Sequence, residues 1–190
     1  MTADLVTGAA FGALFTDFGR SARRLESRAW YRDSEESDAL ARFLAGLPEG
    51  PEYVASRDHW LNGTIRAGVR AGKSFTRVRV FTDPLTQYLR FGLRHCRHNI
   101  AAGEDIRYLD QGRATELDLP AHDYWLFDEV RLALLWFTAD DRLLGAQIVT
   151  EPAVVRLHAT WLDLAFAHST TYNEFLAADR SRDRPPAGGL

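Results

Sequence analysis

Hydrophobic and polar positions repeat along the chain at two periods, near 3.6 and 2, and the switches between them mark out the elements. Phe11, Leu14, Phe15 and Phe18 recur at helical spacing and predict a short amphipathic helix ended by Gly19. Residues 21–31 read as an extended, partly exposed strand with poor alternation. Asp33 and Glu36 have the spacing of a capping box, opening a helix through Leu40, Phe43, Leu44 and Leu47 that Pro48 closes. Residues 48–57 contain Pro and Gly and read as a loop. Residues 58–71 predict a second helix, weakened by Gly63 and Gly68.

The clearest strand is 75–81, Phe-Thr-Arg-Val-Arg-Val-Phe, with strict alternation and β-branched residues. Asp83 as N-cap and Pro84 at the first helical position open a helix that runs to about Ala102 and stops at Gly103. Residues 105–109 then form another strand, completing a βαβ unit with parallel strands and a right-handed crossover. Three closely spaced strands follow at 123–127, 130–137 and 143–149, a β-meander whose almost wholly apolar second member suits a central strand. Thr150, with Pro152 close behind, caps a last helix carrying Val154, Val155, Leu157, Trp161, Leu162 and Phe166. The expected fold is α/β: a mixed sheet with a βαβ unit followed by a β-meander, and helices on both faces. A single domain is expected over 1–178, followed by a charged, Pro/Gly-rich, disordered tail at 179–190.

The helix expected over 84–102 holds most of the candidate chemistry. Leu85, Leu89, Leu93, Cys96 and Ile100 make its buried stripe. One position earlier in each turn stand Tyr88, Gly92, His95 and Asn99; one position later stand Arg90, Arg94 and Arg97. Tyr88, His95 and Asn99 at a core boundary offer a ligand a phenol, an imidazole and an amide, and Gly92 leaves room for close approach. They serve equally as helix-shoulder groups bonded to neighbouring loops. On the preceding strand Arg77 and Arg79 share one face and Val78 and Val80 the other, so the arginines form either an anion clamp or salt bridges to the meander. Ligands of such sheets gather beyond the carboxyl ends of parallel strands, here near Asp83 and beyond Leu109. The candidate ligand-binding set is Arg77, Arg79, Tyr88, Arg90, His95, Asn99 and Glu104.

Composition changes this picture in two places. All but one of the 23 basic residues are arginine; the exception is Lys73. The net charge is −3, yet segment 57–107 sums to +6 and the remainder to −9, so an anionic partner is expected at the middle of the chain, unless its arginines are dispersed in space. With one cysteine, no apolar run of membrane-spanning length and no signal peptide, the chain reads as soluble and cytoplasmic. A sequence pI near 6.1 and the lack of recognised motifs argue against direct nucleic-acid binding.

Catalytic motifs are not found. His95 and His98 stand three apart on one helix without further ligands at metal-site spacing, so neither metal nor cofactor is expected. Cys96 lies in the apolar stripe, which disfavours a nucleophile. Nucleophile elbow, Walker loop and dinucleotide fingerprint are missing. Acid–base work by His95 with Glu104 or Asp128 stays open, since such pairs meet only in the fold.

Ala22-Arg-Arg-Leu-Glu26, Arg77-Val-Arg-Val80, Pro84-Leu-Thr-Gln-Tyr-Leu-Arg-Phe91, Ala101-Ala-Gly-Glu-Asp-Ile-Arg107, Asp123-Tyr-Trp-Leu-Phe-Asp128 and Glu151-Pro-Ala-Val-Val155 occur in the order that resembles the actinobacterial domain-of-unknown-function family DUF6879. The resemblance covers about residues 11–175. It implies a role beside helix-turn-helix regulators, although this chain shows no such motif of its own. Gly92 stands where the family often has an acidic residue. The meander is also similar to half of a phospholipase-D-type domain, whose His-x-Lys motif is absent here. The leading expectation is a non-catalytic ligand- or protein-binding accessory domain whose partner is a DNA-binding regulator protein or an anionic small molecule. The alternatives are an enzyme of a specialised pathway with acid–base residues beside helix 84–102, and an antitoxin-like partner. Oligomeric state is left open.

Overall fold

A computed structural model describes residues 4–32 and 36–182. In chain order the elements are α1 (Gly8–Ala13), β1 (Ser21–Glu26), α2 (Ser37–Leu44), α3 (Pro51–Trp60), a π-helical turn over Leu61–Arg66, α4 (Ala67–Arg70), β2 (Ser74–Phe81), α5 (Gln87–Ala102), β3 (Glu104–Asp110), α6 (Gln111–Glu116), β4 (Tyr124–Phe127), β5 (Arg131–Phe137), β6 (Leu143–Val149), α7 (Pro152–Ala167), β7 (Thr170–Thr171) and α8 (Tyr172–Arg182). The strands form one mixed seven-stranded sheet in the order β6-β5-β4-β1-β2-β3-β7. β1, β2 and β3 run parallel; β4, β5 and β6 form the antiparallel meander beside β1. The expected βαβ unit, meander and two-sided helix cover are all present.

β1 corrects the expectation most. It is the middle strand and ends at Glu26 rather than running to 31, with Ala22 and Leu25 fully buried and Glu26 nearly so, while Ser21, Arg23 and Arg24 keep the partial exposure expected. Its alternation fails because Arg24 and Glu26 are polar residues on a covered face. Its entry is fixed by Asp128, whose carboxylate accepts the backbone N–H groups of Gly19, Arg20 and Ser21 at 2.6, 2.7 and 2.8 Å. Asp128 and Glu129 both adopt positive φ (54° and 58°), making the tight turn between β4 and β5.

Several helix boundaries also move. α3 begins at Pro51, inside the stretch read as a loop, because Pro51 fits the first helical position after an extended Gly50. α5 begins at Gln87: Thr86, not Asp83, is the N-cap, its hydroxyl accepting the Leu89 N–H at 3.1 Å. Gly103 ends it at φ 109°, as expected. Glu151, not Thr150, occupies the N-cap of α7. α6 lies in the polar loop, capped by Asp110, whose side chain accepts the Gly112 and Arg113 N–H groups. α7 is not the last helix, and α8 reaches Arg182, four residues into the expected tail; 183–190 lie outside the described residues. Asp33, proposed for the capping box of α2, lies outside them as well.

The sheet's two faces carry different layers. Val155, Leu162 and Ala165 of α7 close over Leu25, Val78, Val80, Leu126 and Leu132 in a continuous apolar cluster. The opposite face is covered by α5, α8 and the α3–α4 run. There the apolar clusters are split around a group of charged side chains.

Candidate functional site: an arginine-floored aromatic cleft

A cleft of about 1290 Å³ opens on the α5 face of the sheet. Alternation places its floor. In the parallel register Arg24 lies opposite Arg77 and Glu26 opposite Arg79, so all four side chains point to one face while Leu25 and Val78 point to the other. Tyr88, Gly92, His95, Cys96 and Asn99 of α5 form one wall, and Trp30, Tyr53, Trp60 and Phe137 add half-buried aromatic surface.

Glu26 is the hub. One carboxylate oxygen meets Arg24 Nη1 at 2.9 Å and Arg77 Nη1 at 3.0 Å; the other accepts from Arg79 Nη1. Burial alone would raise its pKa, but Arg24, Arg77 and Arg79 together hold it far below the usual carboxylate range. Arg77 also reaches Glu104 at 2.8 Å, and Glu104 accepts from Asn99 Nδ2 at 2.7 Å. Asp123, fully buried, accepts from the Ser27 N–H and hydroxyl, both at 2.8 Å, and from the Tyr31 hydroxyl. The Arg79 guanidinium lies 4.8 Å from the Tyr31 ring and 5.6 Å from the Tyr88 ring. Arg24 lies 5.2 Å from the Trp125 ring.

The structure thus brings together Arg77, Arg79, Tyr88, His95 and Asn99, all lining one cleft. Glu104 sits beneath it as the partner of Arg77 and Asn99. Arg90 does not belong: it is exposed and lies outside the lining, because its row turns to solvent once Phe91 joins the buried side of α5. Tyr88 and His95 are more buried than a boundary row. Neither Asp83 nor the residues beyond Leu109 on β3 line the cleft; it lies over the sheet's face rather than past its strand ends. Reading the sequence alone missed Arg24, Glu26 and Tyr31. The alternation of Arg24 and Glu26 around buried Leu25 was the signal available for the first two.

Tyr88, Glu104 and Asp128 are already engaged, whereas the Nε2 of His95 is buried without a hydrogen-bond partner. The Tyr88 hydroxyl donates to Glu36 at 2.6 Å, and burial raises its pKa well above the ordinary phenol value. His95 donates from Nδ1 to the Phe91 carbonyl at 2.7 Å; its Nε2, 3.2 Å from Glu49, gains that contact only when protonated. Burial nonetheless holds His95 below the ordinary imidazole range, against the pull of the Phe91 carbonyl and Glu49. Neither Glu104 nor Asp128 joins His95: Glu104 binds Arg77 and Asn99, and Asp128 is held at the entry of β1. Burial pushes the Cys96 thiol up. Among the described residues no three His, Cys, Asp or Glu side chains are grouped to hold a metal ion, and no helix is long and apolar enough to cross a membrane.

An α/β domain with this cleft defines a class by architecture alone. Its family follows from sequence: residues 9–177 match the family described as Domain of unknown function (DUF6879), and the chain belongs to that family. No curated protein matches the chain.

Proposed function

We propose that this protein is a non-catalytic binding domain whose cleft takes a small ligand, and that it acts with a separate helix-turn-helix regulator. The observation that carries the ligand half is the convergence of Arg24, Arg79, Tyr88 and Gly92 on one large, aromatic-walled cleft. Guanidiniums held by a shared carboxylate are fixed in place before any ligand arrives, so binding orders few side chains. A binding role is further supported because the Tyr88 hydroxyl and the Glu26 and Glu104 carboxylates are tied into internal hydrogen bonds. Phosphodiester chemistry finds no histidine–lysine pair: Lys73 sits over the Phe18 ring and donates to the Thr16 carbonyl at 3.2 Å. The regulator half rests on the family resemblance.

Gly92 supplies the test. A Cβ built there meets nothing within 4 Å, so Gly92→Phe fills the cleft without clashing at its root. Native mass spectrometry of protein from its own host should show a small-molecule adduct on the wild type that Gly92→Phe lacks. Identical spectra from two equally stable proteins would overturn the reading.

A further inference from the structure

We propose that His122 and His158 form a two-imidazole site for a divalent late transition-metal ion, Cu²⁺ or Ni²⁺, with water in its remaining coordination positions. The site lies apart from the cleft, whose lining includes neither residue.

The two side chains come from different parts of the chain. His158 stands on α7 and His122 two residues before β4, 36 positions away. Their Nε2 atoms face each other at 3.0 Å. The tautomer of His158 is fixed: its Nδ1 lies 2.8 Å from the Val154 carbonyl, which only accepts, so Nδ1 carries the proton and Nε2 presents a lone pair. Metal-ligating histidines are held in this way, by an acceptor on the other ring nitrogen. The orientation of the ring is fixed as well. His158 is 5% exposed and set edge-on to Tyr124, at 4.8 Å and 87°, and to Trp161, at 4.9 Å and 80°. The Tyr124 hydroxyl donates to the His158 carbonyl at 2.9 Å, tying that turn of α7 to β4.

Without an ion, the proton between the two rings belongs to His122 Nε2. His122 is exposed, so solvent can carry that proton to Nδ1, and two lone pairs then face one point with no net ionisation. Burial holds both imidazoles below their ordinary range, which keeps them neutral and able to ligate near pH 7.

The separation selects the ion. With metal–nitrogen bonds of about 2.0–2.1 Å, nitrogens 3.0 Å apart subtend about 91–97° at the metal. That is the angle between neighbouring ligands in the square-planar and tetragonal complexes of Cu²⁺ and Ni²⁺, and it is narrower than the tetrahedral angle of Zn²⁺. Among the described residues no third His, Cys, Asp or Glu completes a cluster, so the other positions fall to water. A bound ion would link α7 to the segment that enters β4.

Calorimetric titration of chelator-treated protein with Cu²⁺, Ni²⁺, Zn²⁺ and Mg²⁺ tests this. One equivalent of Cu²⁺ or Ni²⁺ should bind, Zn²⁺ more weakly than Cu²⁺, and Mg²⁺ not at all. His122→Gln should weaken Cu²⁺ and Ni²⁺ by about tenfold or more, whereas His59→Gln, at an exposed position of α3, should change neither. Because His122 is itself exposed, its variant should melt as the metal-free wild type does. Ni²⁺ should raise the melting temperature of the wild type and leave that of His122→Gln unmoved. Electron paramagnetic resonance of the one-equivalent Cu²⁺ complex should show two equatorial nitrogens in the wild type and fewer in His122→Gln. Absence of one-equivalent binding, unchanged affinity in His122→Gln, a single nitrogen in the wild-type spectrum, or Zn²⁺ bound more tightly than Cu²⁺ overturns the inference.

Discussion

Over one face of the sheet, α7 lays aliphatic side chains on aliphatic side chains, with Leu126, Leu132 and Ala165 wholly excluded from water. Over the other, α5 stands above three arginines, two glutamates and an aspartate, and a large cleft stays open. The same strands build both layers, since successive residues of β1 and β2 point to opposite sides. The dry layer is the cheaper way to hold a sheet; buried ion pairs recover little net stability after desolvation. Retaining charge on one face only is what a protein does when that face has a task besides holding the fold.

Breaking the hub of the charged face should have the largest effect. Glu26→Gln leaves three guanidiniums with one fewer carboxylate, and removing one partner of a buried network costs roughly 3–5 kcal/mol. Urea unfolding followed by circular dichroism measures the loss; a change below about 1 kcal/mol would show that water reaches this floor far more than its burial implies. On the dry face, Leu162→Ala should cost about 2–5 kcal/mol through lost burial and the cavity left behind, and should leave binding in the cleft unchanged. Loss of the small-molecule adduct in that variant would mean that the two layers are coupled through the sheet.

Acid sharpens the contrast. His122 and His158 meet Nε2 to Nε2 at 3.0 Å beside α7, and burial holds both below the ordinary 6.5. Their folded forms resist protonation more than the unfolded chain does. The stability they contribute is therefore complete above 6.5 and falls as pH drops below it toward their depressed values. His95, depressed in the same direction, adds to this from the cleft side. Glu26, held far below its usual range, keeps its charge throughout this window. Thermal melts from neutrality to about pH 5 should fall, and fall less in His158→Gln. An equal drop in both proteins would assign the acid sensitivity elsewhere. The smallest effect is a gain: Gly92→Ala fills open space within α5 and should raise stability by about 0.5–1 kcal/mol.

These two layers were unequally legible in the sequence. Val78 and Val80 alternate with Arg77 and Arg79 so regularly that β2 and the orientation of its side chains could be read directly. β1 could not, because a central strand carrying Arg24 and Glu26 breaks the apolar run expected of one. Tyr88, His95 and Asn99 were legible as one row because helical spacing is local. Their floor was not, since Glu26 and Arg79 are 53 residues apart and meet only through the parallel pairing. Arg90 looked equivalent to its neighbours because spacing alone cannot tell the side of a helix that Phe91 pulls inward from the side left to solvent.

The pairing of Glu26 with Arg79, and of Arg24 with Arg77, also has a consequence for how the chain finds its sheet. Parallel strands lack a tight turn to set their alignment. Sliding β1 by one residue against its neighbours would turn its alternate side chains over, driving Arg24 and Glu26 into the dry layer and Leu25 among the arginines of β2. The ion cluster therefore acts as a key for strand alignment: it adds little to the depth of the correct arrangement and much to the height of its nearest competitor.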